Sequence, residues 1–395
     1  MFGMIHRIRV TRRQFVEQAA ALAALSSLAA LPVRGLAQEP GHLPQLPADL
    51  NAPETLRAAG TPRGLLVGCC VHGKTLQTDA AYTALIKQQM SILVAETEMK
   101  FGPLRPTPTT FFFDDADYLV HFAEENHMKL RGHNFVWHRA LPPWFASYLT
   151  PKNAEPLLVH HIETVAGRYE GKIHSWDVVN EAIQVSDGQP NGMRNSLWYK
   201  ALPNYIDIAF RTARRADPNA LLTYNDYGIE AEDAESAAKR AAVLALVRGM
   251  QQRGVPIDAV GIQSHISAGP GHVYGAGLRS FMAEVEKLNL RIFLTEMDVN
   301  DRSLASPIPA RDAAVAALYA SYLQTTLAFP AVEALLTWGI TDRYTWLNHE
   351  DNRKDGLPER CLPFDADLKP TPAFYAELNA LQHAPARWRG HEIMP

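Results

Sequence analysis

Eight short apolar runs, spread over residues 64–340 and separated by helix-like stretches, constrain this chain more than any other feature. They read "GLLVGCCV" (64–71), "SILVAETE" (91–98), "KLRGHNFVW" (129–137), "IHSWDVVNE" (173–181), "ALLTYND" (220–226), "IDAVGIQSH" (257–265), "RIFLTEMD" (291–298) and "EALLTWGI" (333–340). Each has strand length and stays apolar without alternating, as strands buried on both faces do. Between them apolar residues recur at helical spacing, as at Leu119 and Phe122 after Tyr118, or at Leu157, Leu158, Ile162 and Val165. The stretch 234–253 ends in basic residues before Gly254, a helix stop. Buried strands that each feed a helix predict an α/β fold, a single (β/α)8 TIM barrel over residues 64–390. Its active site is expected at the carboxyl ends of the strands.

Residues 38–63 are rich in Pro, Ala and Gly and read as a linker. Residues 1–37 read as an export signal: Arg12 and Arg13, then Phe15, an Ala/Leu run broken by Pro32, and small residues Gly35 and Ala37 before a cut near Gln38. The paired arginines suit the twin-arginine route, hence a periplasmic or extracellular protein, free of the membrane once the signal is removed. A formal net charge of −4, with no basic block beyond the N-terminus, argues against a nucleic-acid partner. Cys69, Cys70 and Cys361 do not form a disulfide framework and read as small apolar residues on a strand and a loop. A monomer is expected.

Several of the runs end in groups that are expensive to bury: Glu96 and Glu98, His133, Glu181, Asp226, Gln263 and His265, Glu296 and Asp298. In a barrel these ends converge on one mouth, so a Glu straight after a buried strand marks a rim. Glu181 and Glu296 then face one cleft as a carboxyl pair of the kind that cleaves glycosidic bonds, one giving a proton and the other attacking the anomeric carbon. Retaining enzymes hold such a pair about 5–5.5 Å apart. Trp137, Trp144, Trp176, Trp338 and Trp346 lie in or beside the strand ends. Trp176 reads as core; Trp338 and Trp346 are the better platforms for sugar rings. No HExxH or cysteine cluster is present. His133 and His138 are expected on opposite strand faces, so neither metal nor cofactor is expected.

Five ordered motifs, "RGHNFVWH", "WDVVNEA", "GIQSH", "LTEMD" and "TWGITDRYTW", resemble those of glycoside hydrolase family ten, whose main activity is endo-β-1,4-xylanase. The resemblance covers roughly residues 65–383 and implies a retaining enzyme acting on xylan or xylo-oligosaccharides. It implies Glu181 as acid/base and Glu296 as nucleophile, with His265 bridging Glu296 and Asp298 to orient the nucleophile. Asn180 would bond the 2-hydroxyl of the sugar. Glu96, Lys100, His133 and Gln263 would contact the sugar, Trp137, Trp338 and Trp346 would wall it, and Tyr227 would border the leaving-group side. The family's second-strand pattern, Glu-Asn-x-Met-Lys-Trp, appears here as "ETEMKF". Thr97 cannot offer an amide donor and acceptor together, so altered binding one sugar beyond the scissile bond is expected. Arg343 stands where Lys is frequent, and "GLPERCLPFD" carries extra residues before "LPFD". A related glycosidase on short oligomers or another β-glycan, or a carbohydrate-binding barrel without catalysis, are the other readings.

Overall fold

A computed structural model describes residues 55–350 and 353–387. The signal read at 1–37 and most of the linker read at 38–63 lie outside them. Among the described residues nine strands form: β1 (Leu66–Val71), β2 (Ile92–Ala95), β3 (Lys129–Val136), β4 (Ser175–Asn180), β5 (Leu221–Asp226), β6 (Ala259–Ile262), β7 (His265–Ser267), β8 (Arg291–Asn300) and β9 (Val332–Thr337). All pairings are parallel. β1 through β6 follow in order, β6 pairs β8, β8 pairs β9, and β9 returns to β1, so the sheet closes on itself with eight staves. β7 continues the β6 stave and pairs the far end of β8. The expected (β/α)8 barrel is the fold observed.

A helix follows each stave, and polar capping sets several of their starts. Asp79 accepts from Tyr82 N (3.0 Å) at the start of Ala80–Gln89, and Asp233 accepts from Ser236 N (2.7 Å) at the start of Ala234–Gln252. Gly254, at φ +63°, takes the left-handed conformation that ends the second of these. The predicted face of Ala154–Arg168 is buried, with Leu158, Ile162 and Val165 fully covered.

The barrel interior holds Cys70, Ile92, Val94, Ala259, Phe293, Ala334 and Leu336 below a polar layer. In that layer Arg131 bonds Ser175 (3.0 Å) and Asp177, and Asp177 in turn bonds His133 (2.9 Å). Outside the same staves, Trp176 is fully buried, as expected of a core residue, and its indole donates to Asp217 (2.9 Å). All three cysteines are buried and free, two on β1 and one on a loop.

One boundary needs correction. The stretch read as linker already belongs to the barrel from residue 55. Leu56–Gly60 is a helix capped by Thr55, and a 3-10 turn follows at Thr61–Arg63. Leu56 is fully buried, and its N–H donates to Gln89 (3.0 Å). Loop-like composition hid a single apolar turn that packs on the last helix, Pro372–His383.

Candidate active site

Two staves deliver the carboxylates. β4 ends at Asn180, and Glu181 adopts φ +58°, a left-handed turn uncommon for a residue with a side chain. Its N–H is fixed on Asn225 O (2.9 Å), so the turn is held by the neighbouring stave. Glu296 lies within β8 and is nearly buried, with its N–H on Gln263 O (2.9 Å).

A cradle of amides joins them. Gln263 Nε2 donates to Glu181 Oε1 (3.1 Å) and Asn180 Oδ1 (3.2 Å), and Asn180 Nδ2 lies 3.3 Å from Glu181 Oε1. Asn225 Nδ2 donates to Asn180 Oδ1 (3.0 Å) and Glu296 Oε1 (2.7 Å). On the other side of Glu296, His265 Nε2 meets its Oε2 (3.2 Å), and His265 Nδ1 meets Asp298 Oδ1 (2.9 Å). Trp346 Nε1 donates to the second Asp298 oxygen (2.8 Å). The expected bridge from Glu296 through His265 to Asp298 is therefore formed, and Trp346 extends it.

Electrostatics separates the two glutamates. Burial pushes Glu181 above the usual carboxylate range. Trp137 and Gln263 oppose this, and the negative charges of Asp226 and Glu296 add to it. Burial would also raise Glu296, but the His265 hydrogen bond and the nearby His133 and His265 imidazoles outweigh it and hold Glu296 below that range. Burial would lower His265, yet Asp298 and Glu296 prevail and keep it protonated well above its ordinary range. The two carboxyls are thus pushed in opposite directions, toward the proton donor and the ionised nucleophile that glycosidic cleavage requires.

The remaining predicted residues line the same mouth. Lys100 Nζ sits over the rings of Trp137 (5.0 Å) and Trp338 (5.7 Å). Glu96, half-buried at the end of β2, is raised by burial against the opposing charges of Lys100 and His72. His133 lies under Trp338, its ring nitrogens on Asp177 (2.9 Å) and Asn134 (3.1 Å). Tyr227 bonds Arg194 (3.1 Å) and Gln184 (3.3 Å) behind Glu181, while Asp226 is buried against Lys239 (2.7 Å). Trp144 instead packs on Phe101 and bonds Arg105 O (3.3 Å). Among the described residues no three His, Cys, Asp or Glu side chains are grouped to hold a metal ion.

Two residues escaped the sequence reading. The first is His138, expected on the strand face opposite His133. The strand stops at Val136, so alternation does not extend to His138, and its Nδ1 lies 3.7 Å from Glu181 Oε2. Burial, then the charges of Arg194, Arg139 and Lys239, push it down to about 4, which makes it a neutral neighbour for the acid. The second is Asn225, whose Oδ1 accepts from Thr295 Oγ1 (2.8 Å). That bond fixes the flip of the amide, so its N–H2 must face the catalytic pair. Gly261 makes the room: a Cβ there would lie 2.2 Å from Asn225 Oδ1. Gly261→Ala is therefore expected to swing Asn225 off Glu296 and lower kcat about 10- to 100-fold, the worth of one hydrogen bond to a charged group. Steady-state kinetics beside a thermal melt checks this. An unchanged kcat in a folded variant would remove Asn225 from the machinery.

Comparison with known proteins points to one family. A family model described as Glycosyl hydrolase family 10 matches residues 55–380. Endo-1,4-beta-xylanase B of Thermotoga neapolitana is 33% identical over 303 residues, covering 75% of this chain and 82% of that protein. Endo-1,4-beta-xylanase C of Paenibacillus barcinonensis is 32% identical over 353 residues, covering 82% of this chain; the chain spans only 31% of that longer protein. Among solved structures, xylanase 10B of Thermotoga petrophila RKU-1 in complex with xylobiose superposes with a TM-score of 0.76 at 32% identity, covering 83% of this chain and 97% of that one.

Proposed function

The chain belongs to glycosyl hydrolase family 10, and we infer that it is a retaining endo-1,4-β-xylanase whose acid/base is Glu181 and whose nucleophile is Glu296. The observation that carries this is the amide cradle of Asn180, Asn225 and Gln263 that joins the two carboxyl groups, whose proton affinities are shifted in opposite directions. In the first step ionised Glu296 attacks the anomeric carbon while Glu181 protonates the departing glycosidic oxygen. In the second, Glu181, now a base, takes a proton from water as it attacks the anomeric carbon, breaking the ester bond and releasing Glu296 as carboxylate. Asn180, with its Oδ1 occupied by Asn225 and Gln263, turns its amide N–H2 toward the cleft, where the sugar 2-hydroxyl would lie. Trp137, Trp338 and Trp346 supply ring faces, and Glu96, Lys100 and Gln263 supply polar contacts. His133, whose nitrogens are engaged inside the protein, supports the Glu296 charge.

Thr97 favours a second reading within the same chemistry, in which short xylo-oligosaccharides are cut in preference to polymer. Its side chain is too short to replace an amide at the end of β2. The reading also includes export by the twin-arginine route to the periplasm or beyond, carried by Arg12 and Arg13, and action as a monomer.

A product profile tests the choice. Glucuronoxylan, linear xylo-oligosaccharides and carboxymethylcellulose are offered side by side, and rapid conversion of xylan to short oligomers is the expected outcome. Oligomer cleavage without polymer cleavage selects the second reading; cleavage of cellulose alone sinks both. Protein recovered from the exported fraction is expected to begin near Gln38.

A further inference from the structure

The loop behind Trp346 contains a charge cluster that the reaction as described does not use. Asp301, directly after β8, is fully buried and accepts from Arg311 Nε (2.6 Å) and Arg353 Nη1 (3.3 Å). Its own N–H donates to Glu359 Oε2 (2.9 Å), and Glu359 is buried too. Arg353 reaches on to Leu304 O (3.0 Å) and Asp355 Oδ2 (2.6 Å), and Arg311 reaches Pro358 O (2.5 Å). Two guanidinium groups therefore face the carboxylates of Asp301 and Asp355, and these four charges balance. An ionised Glu359 would be a fifth, unbalanced charge against Asp301. Two further charged groups face this segment. Arg360 pairs with Asp312 of the helix Ile308–Thr326 (2.8 and 2.7 Å) and comes within 3.8 Å of Asp342. Asp342 accepts from Cys361 N and Leu362 N (3.0 Å each), and burial pushes it up to about 7.

This cluster is connected to the site. Glu359 N–H donates to Asn348 Oδ1 (2.8 Å), and Asn348 Nδ2 lies 3.3 Å from Asp342 O. Leu347, Cys361 and Leu362 form a small apolar cluster against Trp346. Trp346 is the residue that holds the outer oxygen of Asp298, and through it His265 and the nucleophile.

We propose that Glu359 is a positioning residue for the reaction: accepting the Asp301 N–H beside the Arg311 and Arg353 guanidinium groups, it seats the segment 353–361, and through Asn348 and the Leu347–Cys361–Leu362 contact it holds Trp346 on Asp298. The proposal rests on the xylanase reading of that site. Burial, reinforced by Asp301, pushes Glu359 up to about 8, while Asp301 is held low by Glu359, Arg311 and Arg353 against its own burial. Near neutral pH the latch is therefore closed, and it loosens as pH rises through that value.

The test uses a Glu181→Gln background, which stops turnover and removes the titration of the acid. Xylopentaose affinity is measured by calorimetry from about pH 7 to about pH 9.5, with and without Glu359→Gln, whose neutral side chain cannot ionise. Binding is expected to weaken about threefold or more across this range in the single variant and distinctly less in the double variant, where Asp342, pushed up to about 7, still titrates at the lower end. The fold itself gives a second readout. The contribution of a proton bound more tightly in the folded state is complete below Glu359's unfolded value and is lost as pH rises through about 8. The unfolding midpoint of Glu359→Gln should accordingly rise relative to the parent over that interval and keep a constant lead above it. Equal pH dependence of affinity with and without Glu359→Gln overturns the inference. Absence of xylopentaose binding at every pH overturns the substrate reading, and the proposed role of Trp346 with it.

Discussion

Glu296→Ala is expected to lower kcat on xylan by roughly 10⁴-fold, on the scale of removing a covalent nucleophile, while the protein stays folded and still binds xylo-oligosaccharide. The separation of turnover from binding follows from what the carboxylate touches. His265 loses Glu296 but keeps Asp298 (2.9 Å), so its charge is not orphaned, and Trp346 remains bonded to Asp298 (2.8 Å). Asn225 loses one acceptor and keeps Asn180 (3.0 Å). The sugar platforms Trp137 and Trp338 and the Lys100 ammonium between them do not depend on Glu296. Rate loss of that size is about 5–6 kcal/mol of transition-state stabilisation, far above what a missing hydrogen bond removes. The comparison is kcat on xylan against calorimetric affinity for xylopentaose, with a melting curve as control. A variant that keeps more than about a hundredth of parental kcat would show that another group attacks the sugar. A barrel that only binds carbohydrate would lose nothing that this experiment measures.

The eight staves were legible because buried parallel strands are written as unbroken apolar runs, a pattern that needs no knowledge of partners. Glu181, Glu296, His265 and Asp298 were legible for the converse reason: a buried strand has no use for a carboxylate at its end unless the end is a rim. What stayed hidden depends on register or on contact across elements. Asn225 reads as one polar residue near the end of the run "ALLTYND", and only the alignment of Asn225 with Asn180 and Gly261 in neighbouring staves shows that it faces both carboxylates. His138 was assigned by strand alternation past the point where the strand ends. The helix at Leu56–Gly60 has too few residues for its period to rise above Pro- and Gly-rich surroundings. Glu359 and Asp301 lie on different loops, and no local pattern announces that two acids will be buried against each other.

Glu181→Ala separates the two halves of the reaction. On xylan the leaving group is a sugar alkoxide that needs the proton, so kcat is expected to fall by about 10²- to 10⁴-fold. On an aryl β-xylobioside with an acidic phenol the first step needs no proton donor. The glycosyl-enzyme therefore still forms quickly, and then accumulates because no base activates water. A phenol burst is the expected signature, and a small added anion such as azide should relieve it by attacking the intermediate without a base. The pH profile moves in a defined direction. Parental activity requires Glu296 ionised and Glu181 protonated. Glu296 is held below the ordinary range, so the acid limb lies low; Glu181 is raised by burial, so activity is lost only as pH rises through that elevated value. In Glu181→Ala the alkaline limb of the burst rate should vanish while the acid limb stays, because His265 and Asn225 still hold Glu296 as they did. Burst kinetics at saturating aryl substrate from about pH 4 to about pH 9 decides it. Persistence of the alkaline limb would assign the proton to another group, and His138, 3.7 Å from Glu181 but neutral and pushed down to about 4, could not be that group without leaving its present environment.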